Sequence, residues 1–367
     1  MRTIFAGISL AFTGFALASP PQYKVEKLFQ LSSPSVAAKY RTVSEFTSNG
    51  RIIYDDDAPN LQTGKFEYVA GGSTNISKLI LGNSSDPRAI YRSESGKYAV
   101  APDWDHGGFL RDGLTGENYG PRPFPDHESI NVMGITERYT FGSSFFDQRS
   151  HTYSEVAYIY DHITRTRYDL NPNNFESDKR RTTAMNEAGQ AVVEYFPGPE
   201  PYQPINVEQC ELWQNGVRRV IGQMSDAKIN SSGQVIGRVS NWRDPNFGKM
   251  QFWDGTATQA FTYDDGNPTS LSDNNHALVT FNVDNAYYPS KLLDVNTRTG
   301  YDLHDLTPNM PAGMITYHGL IRADGAIAAI GVENGKSYLL KFTPVPEPAS
   351  LLALGVGLAF VVRRRRV

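Results

Sequence analysis

Ile229-Asn230-Ser231-Ser232-Gly233-Gln234-Val235-Ile236-Gly237 is the stretch on which the fold turns. An apolar residue leads into a small polar turn closed by glycine, and a strand-like apolar run comes next. Glycine supplies the positive φ that such a turn needs, and the flanking runs read as strands. Five other stretches carry the same pattern: Val43–Tyr54 around Gly50, Ser93–Val100 around Gly96, Met185–Val193 around Gly189, Leu271–Val279 around Asn275, and Ile321–Ala329 around Gly325.

The intervals between these turns lie between about 42 and 50 residues, except for a double gap from Gly96 to Gly189. A seventh copy belongs in that gap, and Ile135-Thr136-Glu137-Arg138-Tyr139 into Thr140-Phe141-Gly142 fills it with the glycine lost. A second hairpin completes each unit. Asp112-Gly113, Asn215-Gly216 and Asp254-Gly255 are its turn signals, and Tyr158–Asp161 with Arg167–Leu170 and Leu292–Val295 with Gly300–Leu303 are longer-looped versions. Two hairpins make four strands per unit. Seven units of about 46 residues predict an all-β, seven-bladed β-propeller.

The last unit lacks a fourth strand, because Ser337–Phe342 runs directly into Pro344. Tyr23–Phe29 is an orphan strand at the other end, so the chain is expected to close the ring by pairing residues 23–29 with 337–342. No helical period is sustained over ten residues in the body. The unit containing Ile229–Gly237, with Phe252-Trp253-Asp254-Gly255 downstream, resembles the HAF-type repeats of bacterial exported proteins, which agrees with the propeller and implies no activity.

The two ends carry addresses. Arg2, an apolar run from Ile4 to Leu17 and the Ala16-x-Ala18 pattern predict a secretory signal peptide over 1–18. At the other end Val345-Pro346-Glu347-Pro348 precedes an apolar run, Leu351–Val362, and then Arg363, Arg364, Arg365 and Arg366. Prolines stop a helix from extending backwards, and the arginines read as a cytoplasmic stop after a short transmembrane helix at 351–362. This order resembles the PEP-CTERM sorting signal over 344–367. The resemblance implies a Gram-negative, exopolysaccharide-producing source and export through the secretion translocon. It also implies membrane insertion until exosortase processes the tail, then a place at the cell surface or outside the cell.

Composition narrows the rest. The net charge is −4; without Arg2 and the four terminal arginines it is −9, and without Glu347 of the tail as well the 19–343 body carries −8. That disfavours nucleic acid and anionic membranes as partners. A single cysteine, Cys210, excludes an intramolecular disulfide.

No catalytic motif appears. His106-Gly107-Gly108-Phe109 lacks the nucleophile elbow an esterase needs, and the histidines show no zinc spacing. Asp264-Asp265-Gly266-Asn267 resembles part of a calcium loop without the full pattern, so calcium is only a candidate and no cofactor is expected. Asp55-Asp56-Asp57 and Asp103-Trp104-Asp105 read as solvated loops. A glycan-cleaving alternative places Asp55, Asp103 and Asp105 on one face, with Trp104 and Trp242 as stacking platforms. The expectation is a non-enzymatic module that binds exopolysaccharide or a matrix protein. The alternative is an exported glycan hydrolase or lyase.

Overall fold

A computed structural model describes residues 20–57, 63–69, 71–76, 91–101, 109–113, 128–146, 154–170, 178–197, 209–239, 244–261, 266–280, 282–283, 286–287 and 289–346. The chain divides into a compact unit, Tyr23–Pro344, and a second unit made of the two ends. The compact unit is all-β. Its only helix among the described residues is Ser35–Ala38, and no described helix is long and apolar enough to cross a membrane. The helix expected over 351–362 lies outside the described residues.

Among the described residues, seven antiparallel sheets of three or four strands are arranged in chain order. The first is Val43–Phe46, Ile52–Asp57, Thr63–Val69 and Gly72–Asn75. The second has three strands among the described residues, Tyr91–Arg92, Tyr98–Ala101 and Phe109–Asp112. Glu128–Ile135, Tyr139–Phe146, Ser154–Asp161 and Thr166–Asp169 form the third, so the glycine-less copy is a real unit. The fourth is Asp178–Met185, Ala191–Pro197, Gln209–Gln214 and Val217–Gly222. Met224–Ile229, Val235–Val239, Met250–Trp253 and Thr258–Phe261 make the fifth. Asn267–Leu271, His276–Thr280, Lys291–Asp294 and Thr299–Asp302 make the sixth, with a two-stranded ribbon, Asn282–Val283 and Ala286–Tyr287, looped out of it. The seventh runs Ile315–Ile321, Ile327–Glu333, Lys336–Val345 and then Gln22–Pro34.

The first strand of each sheet lies against the first strand of the next, and Ile315–Ile321 of the seventh lies against Val43–Phe46 of the first. The series therefore returns on itself, and the body is β-propeller-like. The second strands are covered on both faces, which is why Ile52–Tyr54, Ala191–Val193 and Ile327–Ile330 are unbroken buried runs instead of alternating ones. Apolar seams fill the gaps between neighbouring sheets. Val192, Leu212, Met224 and Val235 join the fourth and fifth, and Ile236, Phe252, Leu271 and Leu293 join the fifth and sixth.

The expected closure is present. Gln22–Pro34 takes the place beside Lys336–Val345, with Tyr23 only 1% exposed and packed with Leu340 and Phe342 in one apolar cluster. Asn309 fastens it by accepting from Val25 N (3.1 Å) and donating to Val25 O (3.0 Å), and Tyr23 N donates to Leu306 O.

The turns behave as their residues require. Gly50, Gly96, Gly189, Gly233 and Gly325 all have φ between +79° and +86°, and Asn275 takes the same region at +59°. Asn215-Gly216 has both φ values positive, the type I′ geometry of a two-residue hairpin; Asn334-Gly335 repeats it. Asp254-Gly255 is different from the expected tight turn. Trp253 pairs with Thr258, leaving four loop residues, and Asp254 Oδ1 accepts from Thr256 N and Ala257 N. Asp161 and Asp294 cap the corresponding loops in the same way. The hairpin expected at Asp112-Gly113 would need a return strand after residue 113, and residues 114–127 lie outside the described residues.

Candidate functional site

Two polar systems stand out, and both arise from the innermost strands. The first is a belt formed by the repeated turns. Ser48 N donates to Glu94 in the second sheet, and Ser95 N and Oγ donate to Glu137 in the third. Glu137 N donates to Glu187 (3.0 Å), Asn186 Nδ2 to Asn230 O (3.0 Å) and Asn230 Nδ2 to Ser272 O (3.2 Å). Asp273 N donates to Ala323 O, and Arg322 Nη1 returns to Thr47 O (2.7 Å) and Ser48 O (3.0 Å) of the first turn. Seven turns are thus joined in a closed circuit. Glu94, Glu137, Glu187 and Asp273 recur at the second turn position, and each caps an N–H of the preceding turn. Burial first, then the charges of Glu137 and Glu94, push the Glu187 carboxyl up.

The second system lies inside. Register shifts interrupt the pairing of first and second strands between Val43 and Glu45, Thr182 and Ala184, Ser225 and Lys228, Pro268 and Ser270, and Thr316 and Gly319. The third sheet shifts likewise at Phe141/Gly142. A bulge adds a residue and re-aims the side chains beside it. These bulges flank Glu45, Lys228 and His318, each intermediate in exposure although its strand neighbours Val43, Ala227 and Gly319 are buried.

The electrostatics gather these groups together. His318 feels Asp55 and Lys65 of the first sheet and Lys228 of the fifth, and Tyr91 of the second feels Glu45 and Asp55. Lys228 and His318 both lie beside bulges in first strands, the strands that touch from sheet to sheet around the ring. Burial dominates the titration there. It lowers His318 to about 4, with Lys65 and Lys228 pushing the same way and Asp55 against. It raises Glu45 to about 7 against the Arg92 N–H and the charges of Arg51, Arg92 and Lys65. It lowers Lys228, opposed by Asp226 and Glu194 and helped by Arg181. His318 Nδ1 accepts from Val43 N (3.2 Å), which leaves the proton on Nε2.

Most cations nearby are already used. Arg92 Nη1 pairs with Glu67 (2.6 Å), Arg51 Nε approaches the same carboxylate, Lys65 pairs with Asp55 (2.8 Å) and Arg181 with Glu194 (3.0 Å). Lys228 pairs along the backbone with Ile236, and Asp226 and Glu194 act on its ammonium electrostatically.

Of the residues singled out in the sequence, Asp55 and Asp56 are not in a solvated loop. They sit buried in Ile52–Asp57, where Asp55 faces Lys65 across the strand pair and accepts from Thr42 Oγ1, and Asp56 accepts from Ser32 N (2.8 Å). Asp55 is held in an ion pair with Lys65, and only 13% of its side chain is exposed. Asp103, Trp104, Asp105, Trp242, Asp264, Asp265 and His106 lie outside the described residues. Asn267 Oδ1 accepts from Arg238 Nη1 (3.2 Å), and no group of three or more metal-ligating side chains occurs among the described residues. Val345 ends the last strand, exposed; Ala16, Ala18, Glu347, Pro348 and Arg363–Arg366 lie outside the described residues. Sequence reasoning missed Glu45, Lys228 and His318, for which no local pattern exists. The belt acids carried a signal, since aligning the turns puts them in register.

Comparison with known proteins bears on the tail first. The model of the PEP-CTERM protein-sorting motif matches residues 344–366. The chain carries a PEP-CTERM sorting motif. It is therefore an exported protein with a C-terminal sorting signal that exosortase processes during export. No curated protein matches the chain. Among solved structures, a Mycobacterium tuberculosis puromycin-hydrolyzing peptidase is similar at TM-score 0.51 and 11% identity over 88% of this chain. This chain spans 56% of that peptidase's length. Oligogalacturonate lyase from Vibrio parahaemolyticus is similar at TM-score 0.50 and 9% identity, covering 88% of this chain and 94% of the lyase. The WD40 repeats of RRP9 give 0.48 and 8% over 89% and 99%. Identities this low speak to fold alone.

Proposed function

We propose that the protein is a seven-bladed propeller displayed at the cell surface or in the extracellular matrix of an exopolysaccharide-producing Gram-negative bacterium. There it acts as a non-enzymatic module that binds matrix polysaccharide or a matrix protein. In this reading residues 1–18 are removed as a signal peptide, 19–343 form the working body, and 351–362 hold the chain in the membrane until the tail is processed. One observation carries it: the sorting motif begins at residue 344, at the end of Lys336–Val345 in the seventh sheet, which supports a folded β body as the part that the sorting system delivers.

A second reading, an exported glycan hydrolase or lyase, draws on the titratable Glu45 and His318 beside bulges in first strands and on the fold shared with an oligogalacturonate lyase. Incubating the full chain in mild detergent with exopolysaccharide from the producing strain separates the two. Co-elution with a polymer of unchanged size in size-exclusion chromatography supports the binding module. A polymer shifted to lower mass overturns it in favour of the enzyme. Failure of either to move rules out the glycan and leaves a protein partner.

A further inference from the structure

We propose that the belt end of the seam between the third and fourth sheets is a glycan-binding strip that takes a neutral sugar ring on Tyr168 and Trp213. This deepens the binding-module reading and rests on it. Strand register places the residues. Tyr139 stands opposite Asp161, and Ile159 opposite both Phe141 and Tyr168, on the face of the third sheet that turns to the fourth. On the fourth sheet Ala191, Trp213 and Arg218 form the row next to the belt turn. Phe141, Ile159 and Ala191 are buried together in this seam, and Tyr139 and Trp213 pack against them while staying half-buried. Tyr168 is 48% exposed.

The repeat is broken at this place. The third turn closes from Thr136 N to Tyr139 O, one residue shorter than Asn186 N to Gln190 O or Asn230 N to Gln234 O, so Tyr139 stands where those units carry glutamine. A side chain at Gly189 would meet the Tyr139 ring at 3.6 Å, and the Arg138 guanidinium lies 5.1 Å from the ring centre. Asp161 grips Arg138 through Nε (2.9 Å) and Nη2 (2.7 Å), and Trp213 Nε1 donates to Glu211 (3.0 Å), which fixes the indole. Groups held in place lose little freedom when a ligand arrives. Gln214, exposed, accepts from Gln190 Nε2 (3.2 Å) and presents its own NH2 to solvent. Aromatic faces cover the C–H side of a sugar ring, and a few placed amides meet its hydroxyls. The charges select a neutral ring. Both arginines are matched, Arg138 by Asp161 and Arg218 by Glu211 (3.5 Å), while Glu187 joins the same two turns through Glu137 N and repels an anion.

The test titrates exopolysaccharide isolated from the producing strain into the full chain in mild detergent by calorimetry, for wild type, Tyr168→Ala, Tyr168→Phe and Phe247→Ala. Phe247 is a comparably exposed ring (55%) in the loop between Val235–Val239 and Met250–Trp253, and serves as the control. Circular dichroism checks that each variant is folded. The expected result is affinity lowered at least about tenfold in Tyr168→Ala and kept within about twofold in Tyr168→Phe and Phe247→Ala. Affinity should also change less than about twofold between roughly 50 and 500 mM salt, because a neutral ligand offers nothing to screen. Affinity unchanged in folded Tyr168→Ala, or lowered as far in Phe247→Ala, overturns the strip while leaving the binding module standing. A fall of about tenfold or more with salt overturns the neutral ring in favour of an anionic ligand. Polymer that does not bind wild type sinks the matrix-glycan reading and the strip with it.

Discussion

Glu45 shows what burial does to one group in this fold. Its carboxyl lies beside Arg51 and accepts from Arg92 N, yet burial outweighs these partners and lifts it from 4.5 to about 7. The folded chain therefore binds a proton between those values that the unfolded chain releases. Its contribution to stability is complete below about 4.5 and is lost as pH rises through about 7. Glu45→Gln, which can still accept from Arg92 N, should flatten that slope and raise stability at pH 8 by about 1–3 kcal/mol. Urea midpoints of both proteins at pH 5 and pH 8 measure it. An unchanged difference between the two pH values would show that Glu45 is not the group responsible. None of this was visible in the sequence, where Glu45 is one acid in a polar stretch and its burial depends on a second sheet.

At the scale of elements, the repeated turn does two jobs. Its glycine reverses the chain, and its side chains tie each sheet to the next. Asn186 and Asn230 are equivalent: each accepts from the backbone N–H four residues on, and each donates both to that glutamine's side chain and to a carbonyl of the next turn. Asn230→Ala and Asn186→Ala should each cost about 1–3 kcal/mol, because buried acceptors lose partners. Denaturant unfolding reads the loss, and a cost under about 0.5 kcal/mol in either would mean the belt does not hold the ring. These turns were legible because only glycine or asparagine suits their positive φ, at Gly233 as at Asn275. The bulges were not. Thr183 and Ala227 carry no local mark of an extra residue, since a bulge is decided by the strand it fails to match. The same blindness covered Asp55, whose partner Lys65 comes from the opposite strand.

At the scale of the molecule, spacing alone gave seven units, and the orphan strand at Tyr23–Phe29 gave the closure. The polar groups inside the ring were out of reach, because a pair such as Val43 N and His318 Nδ1 joins the first and last sheets and forms only when the whole ring is built. Closure should dominate stability. Tyr23 is buried against Leu340 and Phe342, so Tyr23→Ala should cost about 3–5 kcal/mol and show as a lowered urea midpoint. A cost below about 1 kcal/mol would leave the ring held by other means.

The most direct measurement is native-state hydrogen exchange of the amides from Tyr23 to Leu31. Ring closure by this strand predicts that Tyr23 and Val25, bound to Leu306 O and Asn309 Oδ1, exchange only through global unfolding. Their protection should then match that of Ile327–Ile330 in the same sheet. Exchange at the rate of an unfolded peptide, with Ile327–Ile330 still protected, would contradict the closed ring.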